Sequence, residues 1–229
     1  MDRAFRNRVD AGQRLAKRLI ELGLENPVVL ALPRGGVPVA AEVARALGAP
    51  LDLLLVRKIG APIQPELAVA AVSDGAEPVL VVDEASLAAS GTSLAYVMGE
   101  APRHLQEIER RRRLYLNDRA PMDLQGATAV LVDDGIATGT TARAALQVLR
   151  RRNPRCMVLA VPVAPAAELP ALRALVDRLI CLEAPEVFGA VGEHYLDFAQ
   201  VEDDEVVALM GASGPGARDI QQRRRQGSD

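Results

Sequence analysis

Tryptophan is absent from this chain of 229 residues, and phenylalanine and tyrosine occur three times each. The core must therefore be aliphatic, rich in Ala, Val and Leu. Cysteine is nearly absent too. Cys156 and Cys181 are too few for a disulfide framework, and both lie in apolar surroundings. They read as reduced core residues of a cytoplasmic protein. No apolar run reaches the roughly 18 residues of a membrane span, and the opening MDRAFRNRVD does not read as a signal peptide. A membrane is thus not an expected partner. An excess of one charge is missing as well: 27 Lys and Arg face 30 Asp and Glu, which leaves −3. That balance gives no electrostatic case for a general nucleic-acid binder. What is present is ordinary. The apolar share of 49% and the charged share of 25% exclude a wholly disordered chain. The length suits one domain, or one domain with a sizeable insert.

Hydrophobic spacing orders the segments. Residues 5–22 predict a helix with Phe5, Val9, Leu15, Leu19 and Leu22 largely on one face and Gly23 to end it. Residues 28–32 form a short apolar run that reads as a buried strand. Pro33, Arg34, Gly35 and Gly36 break it. Residues 37–47 return to helical spacing and stop at Gly48. A second apolar strand spans 51–56 and ends at Arg57 and Lys58. Helix, strand, loop, helix, strand is a βαβ unit behind a leading helix, which implies a parallel sheet covered on both faces. The middle is less regular. Residues 67–72 and 78–82 could pair as a hairpin around Ser73, Asp74 and Gly75. Residues 92–118 read as helical and highly charged, with Pro102 marking the first turn of the main helix. Strands resume at 128–132, 156–163 and near 179–182, separated by helices over 141–152 and 168–177. Residues 184–210 hold Phe188, Tyr195 and Phe198. Residues 211–229 have no apolar period and read as a disordered tail.

The informative segment runs from Val130 to Thr141. A buried strand delivers Asp133 and Asp134 to its C-terminal end. A loop of small and hydroxylic residues follows, Gly135, Ile136, Ala137, Thr138 and Gly139, and then a helix begins at Thr140 and Thr141. Parallel sheets bind ligands beyond the carboxyl ends of their strands. Free amides in the loop and at the helix N-terminus favour an anion, above all a phosphate. Gly139 lets the backbone approach it, and three threonine hydroxyls add donors. Carboxylates beside a phosphate cradle suit sugar hydroxyls or a divalent cation. A ribose 5-phosphate fits both halves.

This segment resembles the 5-phosphoribosyl-1-pyrophosphate (PRPP) motif of the type I phosphoribosyltransferase superfamily. Only Gly135 departs from the family's usual apolar choice. The chain from about 3 to 210 is similar to one branch of that superfamily, with Phe5-Arg6-Asn7-Arg8, the Pro33 to Gly36 stretch, residues 56–62, 65–68 and 132–139, and a late segment, 190–198. The resemblance implies an α/β fold: a parallel-sheet, Rossmann-like core with a small hood and a flexible middle insertion. It implies one domain over 1–210, a hood from 184–210 with 1–25, and an insertion at about 60–126.

The resemblance also implies a reaction. A nucleophile, usually a base nitrogen, takes C1 of the ribose as pyrophosphate leaves, with Mg²⁺ neutralising the leaving group. Ala137, Thr138, Gly139, Thr140 and Thr141 would cradle the 5-phosphate. Asp133 and Asp134 would hold the ribose hydroxyls and the Mg²⁺ shell, mostly indirectly. Arg34, Gly35, Gly36, Arg57 and Lys58 would meet the pyrophosphate, through a loop that in the family often carries a strained peptide bond, and Lys58 joins the acid pair as a catalytic candidate. Partners are then PRPP and a small acceptor, a nucleobase above all, as in purine and pyrimidine salvage; the family's habit of dimerising implies a homodimer. Phe188 and Tyr195 are the acceptor-stacking candidates. Ala137 stands where hypoxanthine-guanine members carry an Asp, and residues 158–163 contain no Lys, so a 6-oxopurine acceptor is disfavoured. Glu66 is a candidate acid or base, and His194 and Asp197 could line the pocket, although an exposed loop acid is the better reading of Glu66 and a surface position the default for the histidine. The run Arg110, Arg111, Arg112, Arg113 could draw in an anion or be a solvated face. Two other functions compete: a PRPP-sensing regulator without turnover, and phosphatase- or receiver-like chemistry at the acid pair. The Thr-Gly-Thr-Thr cradle argues against the latter. Arg223, Arg224 and Arg225 leave only a weak nucleic-acid contact open.

Overall fold

The computed structural model describes residues 4–74 and 78–212. Asn7 caps the first helix, α1 (Arg8–Ile20), its side chain accepting from the Asp10 amide at 2.9 Å. The aliphatic strand β1 (Pro27–Ala31) follows, then α2 (Gly36–Leu47), which ends on Gly48 in the left-handed conformation that glycine adopts without a Cβ penalty. β2 (Leu51–Leu53) is short. Next come β3 (Val56–Gly60), β4 (Ala68–Ser73), β5 (Val79–Val82), α3 (Glu84–Ser90) and the long α4 (Leu94–Leu116). The remainder alternates as β6 (Thr128–Val132), α5 (Thr140–Arg151), β7 (Cys156–Val163), α6 (Leu169–Arg173) and β8 (Arg178–Glu183), and closes with α7 (Asp203–Ala212).

Five strands make a parallel sheet in the order β2-β1-β6-β7-β8, and β3-β4-β5 make a separate antiparallel sheet. The main sheet is buried on both faces, as parallel strands require. Leu15, Leu19, Val39 and Val43 cover one face with Val29, Val130 and Val158. Ala145, Leu146 and Leu149 of α5 cover the other with Leu30, Leu131 and Leu159. α4 packs on one face of the small sheet and α5 on the other. β1 and β6 are adjacent, with Ala31 opposite Val132, and the Leu32 amide still donates to Val132 O at 3.0 Å. The loops that leave these two strands, 32–36 and 133–139, therefore emerge side by side.

Several expectations need correction. Phe5 is not in α1. It pairs with Tyr195 in a lone β-bridge and is fully buried, while Val9 faces outward. The strand expected at 51–56 is two strands in two sheets; a continuous apolar run cannot reveal a break when both pieces are buried. Arg57 and Lys58 thus lie within β3 rather than at a strand end. Pro102 sits inside α4, because the helix starts at Leu94 with Ser93 as its cap. α6 is shorter than the helix expected at 168–177, and α3 had no expectation at all. Cys156 and Cys181 are free thiols, half-buried rather than in the core. Gly211 and Ala212 belong to α7, and the rest of the expected tail, with Arg223, Arg224 and Arg225, lies outside the described residues, as does Gly75.

Candidate active site

The two neighbouring loops are packed onto each other. A Cβ on Gly36 would stand 2.9 Å from both Asp133 Cα and Val132 O, and one on Gly35 would collide with the Asp134 carboxylate. Only glycine fits at either position while the acid pair stays where it is. The Pro33–Arg34 peptide bond is cis. Gly135, the one departure from the expected pattern, has a similar cause. A Cβ there would come within 2.5 Å of Val191 Cγ1 and 3.0 Å of Val163 Cγ1.

The two acids are not equivalent. Arg8 Nε donates to Asp134 Oδ2 at 2.8 Å, Arg8 Nη1 donates to Ala199 O at 2.7 Å, and the same guanidinium lies 3.8 Å over the Phe198 ring. The Tyr195 hydroxyl donates to Asp134 O at 2.5 Å. Asp134 is thus tied to α1 and to the C-terminal segment. Among the described residues Asp133 makes no ion pair, and Arg8 acts on it only through space. Its Oδ1 accepts the Asp134 amide at 2.9 Å. Burial, followed by the neighbouring Asp134 charge, pushes its carboxyl well above the usual range.

Beyond the acids, the loop meets solvent. Ala137, Thr138 and Thr141 are exposed and Thr140 is half-buried. Gly139 is the N-cap of α5 at φ 70°, with no side-chain cap. The first turn of the helix therefore presents amides that have no intrahelical acceptor. Arg143 braces this turn from below. It donates to Thr138 O at 2.9 Å and to Glu168 Oε2 at 2.8 Å. A cation in the first turn opposes the helix dipole, and that anomaly was the sequence signal for it.

The basic residues expected at the pyrophosphate are distributed. Arg34 Nη1 lies 3.4 Å from Asp203 Oδ1 and 3.7 Å from Glu202 Oε2, at the start of α7. The Tyr115 hydroxyl donates to the same Asp203 oxygen at 2.6 Å. Arg57 and Lys58, adjacent in β3, point to opposite faces of the small sheet, as strand alternation demands. Lys58 Nζ donates to Glu66 Oε2 at 2.7 Å on the α5 side. Arg57 Nε donates to His104 Nδ1 at 3.2 Å on the α4 side. One ligand does not meet both from a single face. Glu66, whose carboxyl is held below its ordinary range by Lys58, lines an open cleft of about 250 Å³ with Asp83, Thr140 and Arg143.

The aromatic candidates divide. Tyr195 is 1% exposed and packed between Phe5 and Phe198, with ring centroids at 5.3 and 5.0 Å. No face of that ring is open to a base, so it is not an acceptor-stacking residue; its burial pushes the phenol upward. Phe188 is half-buried and stacks on His194, with centroids 5.2 Å apart. Asp197 is exposed and accepts the Ala199 amide at 3.1 Å. The Arg run splits as well. Arg112 is buried against Asp74, Arg113 lies near Glu109 and Asp118, and Arg110 and Arg111 hold Glu107. Arg8, Tyr115, Arg143 and Asp203 escaped the sequence reading of roles. Apart from Arg143, which follows the loop directly, only the fold brings them to the loops.

Comparison with known proteins agrees with this geometry. A family profile described as the phosphoribosyl transferase domain matches residues 4–199. Two Mycobacterium tuberculosis proteins provisionally named as phosphoribosyl transferases are 45% identical over 206 residues, 90% of this chain. The chain spans only 46% of those relatives, about half their length. The crystal structure of TT1426 from Thermus thermophilus is 44% identical and superimposes with a TM-score of 0.83, covering 92% of this chain and 99% of that one. Among the described residues, no helix is long and apolar enough to cross a membrane.

Proposed function

This chain belongs to the phosphoribosyl transferase family, and we propose that it transfers a 5-phosphoribosyl group from PRPP to a nucleobase or similar small acceptor. The bond from ribose C1 to the pyrophosphate oxygen breaks as a bond from the acceptor's nucleophile to C1 forms, and the acceptor's proton is lost. The protein's part in such a reaction is orientation and stabilisation of the departing charge. Ala137, Thr138, Gly139, Thr140 and Thr141 offer amides and hydroxyls to the 5-phosphate. Asp133 takes the ribose hydroxyls, while Asp134, already bound to Arg8, holds the loop in register. Arg34 and the Gly35 amide receive pyrophosphate, with Lys58 approaching from the small sheet; the Gly36 amide is already given to Leu32 O at 3.1 Å, so Gly36 serves by its lack of a side chain. Arg34 must first leave Asp203. Phe188 is the remaining aromatic for the acceptor.

Asp133 also suits Mg²⁺. Among the described residues its carboxylate has no ion-pair partner in contact, and hard divalent ions favour such oxygens. Among the described residues, no group of three or more His, Cys, Asp or Glu side chains could hold a metal by itself. Substrate oxygens would therefore complete the shell, and the ion would supply charge neutralisation to the leaving group.

The observation that carries this reading is the packing of Gly35 and Gly36 directly on the acid pair, beside an exposed threonine loop. It supports a site in which an anion cradle follows directly on a carboxylate. A PRPP sensor without turnover is the second reading. Its support is that Arg34 and Lys58 are each held by a carboxylate. Pyrophosphate release from Mg²⁺–PRPP with a panel of bases and amines separates them. Acceptor-dependent release is expected. Tight PRPP binding without release from any acceptor would favour the sensor, and no PRPP binding would remove both.

A further inference from the structure

The α4 side of the small sheet carries a groove of about 600 Å³ lined by Arg57, Arg103, His104, Glu107, Arg110 and Arg111. Four arginines line it with one carboxylate, Glu107, and Asp203 acts on Arg110 only from farther off. Arg110 donates twice to Glu107, at 2.8 and 3.0 Å, Arg111 donates to it at 2.9 Å, and Arg57 lies 3.8 Å away. Glu100 at the rim reaches only Arg103 and His104, at 3.8 and 4.0 Å. Two carboxylate oxygens cannot occupy the fork of donors on each of three guanidiniums. Elsewhere on α4 the match is closer: Arg112 has Asp74, and Arg113 has Glu109 and Asp118. Glu107 feels the excess, its carboxyl drawn down to about 2, first by its hydrogen bonds from Arg110 and Arg111. His104 is biased towards the neutral form by burial and by Arg57.

We propose that this groove is a second anion site, for a small molecule carrying several phosphate charges, such as a nucleotide, separate from the PRPP loops. Its volume lies in the range of small-ligand sites. Guanidinium forks suit phosphate oxygens. A small molecule is favoured over RNA, because the chain as a whole is at −3. From His104 to Tyr115 the helix rises by about 16 Å, and the near edge of the groove, Arg110 and Arg111, comes within electrostatic reach of Asp203 and Tyr115. Tyr115 contacts Asp203, and Asp203 holds Arg34. The groove thus runs toward the pyrophosphate loop without including it. The site does not depend on transfer chemistry, and PRPP enters its test only as a blocker of the other site.

The test is calorimetric titration of the full chain with inorganic tripolyphosphate and with ATP, in excess Mg²⁺, with and without saturating PRPP. Binding of at least one probe is expected to persist with PRPP present. It should weaken about tenfold or more in Arg110→Gln/Arg111→Gln, and tighten severalfold in Glu107→Gln, which removes the competing carboxylate. PRPP affinity of each variant, measured alone, reports on the fold and on the transfer site independently. Four results would overturn the proposal: no binding of either probe at millimolar concentration, probe affinity unchanged in the double variant, binding abolished by PRPP, or binding of an RNA oligonucleotide alone.

Discussion

The junction of β1 and β6 and the small antiparallel sheet are built on opposite principles. At the junction, crowding is steric: Gly36 lies against the Asp133 and Val132 backbone, and Gly135 against the Val191 and Val163 side chains. In the insert, buried charge is added to an apolar core of Val69, Val72, Val97 and Ile108. Asp74 at the end of β4 is buried with Arg112 of α4, and Arg152 at the end of α5 lies 3.3 Å from its Oδ1. Asp52 of β2, fully buried where the main sheet meets the insert, is met by Arg119 at 3.3 Å and by the Met122 amide at 2.9 Å. A steric site fixes atoms to a fraction of an ångström and suits the reacting sugar. A charged site tolerates rearrangement and suits the part that must admit an acceptor.

Breaking each region in its own way sharpens the contrast. The largest effect is expected in the insert. Asp74→Asn leaves Arg112 and Arg152 buried without their counter-charge, and denaturant unfolding should show a loss of about 3–5 kcal/mol. Gly36→Ala comes next. Its Cβ meets main-chain atoms that cannot swing aside, so about 1–3 kcal/mol of crowding falls on the loop; PRPP affinity should drop by up to ~100-fold with the global fold retained by circular dichroism. Tyr195→Phe removes one hydrogen bond to Asp134 O and should cost about 1 kcal/mol of stability. The smallest change is a gain. Asp203→Asn releases Arg34 and should tighten PRPP binding a few-fold; weaker binding would mean that the carboxylate orients Arg34 rather than competing for it.

A pH titration adds a sign. Burial and Asp134 raise the Asp133 pKa, and its ionised form is the one that receives the hydroxyls. PRPP affinity should therefore fall as pH drops through a value above the ordinary carboxylate range and recover as pH rises. The Asp133→Asn variant should lose that dependence.

How far the sequence could be read followed the same division. The main sheet was legible, because strand runs such as 128–132 and 156–163 are apolar throughout and each is bounded by loop residues. The acid pair and threonine loop were legible because they are contiguous. The insert was not. The break between Leu53 and Val56 is hidden in unbroken apolar sequence, and Pro102 gave a false helix start. Nor could Arg57 and Lys58 be assigned to opposite faces before their strand was located. Partners distant in sequence stayed invisible: Arg8 with Asp134, Tyr115 with Asp203, and Phe5 with Tyr195.

Calorimetric titration of Mg²⁺–PRPP into the unaltered chain and into Asp133→Asn bears most directly on the sugar-phosphate site. The unaltered chain should bind PRPP, and the variant should bind at least about tenfold more weakly, consistent with loss of a charged hydrogen-bonding partner, while keeping its unfolding midpoint. Equal affinity in the two proteins would contradict the account.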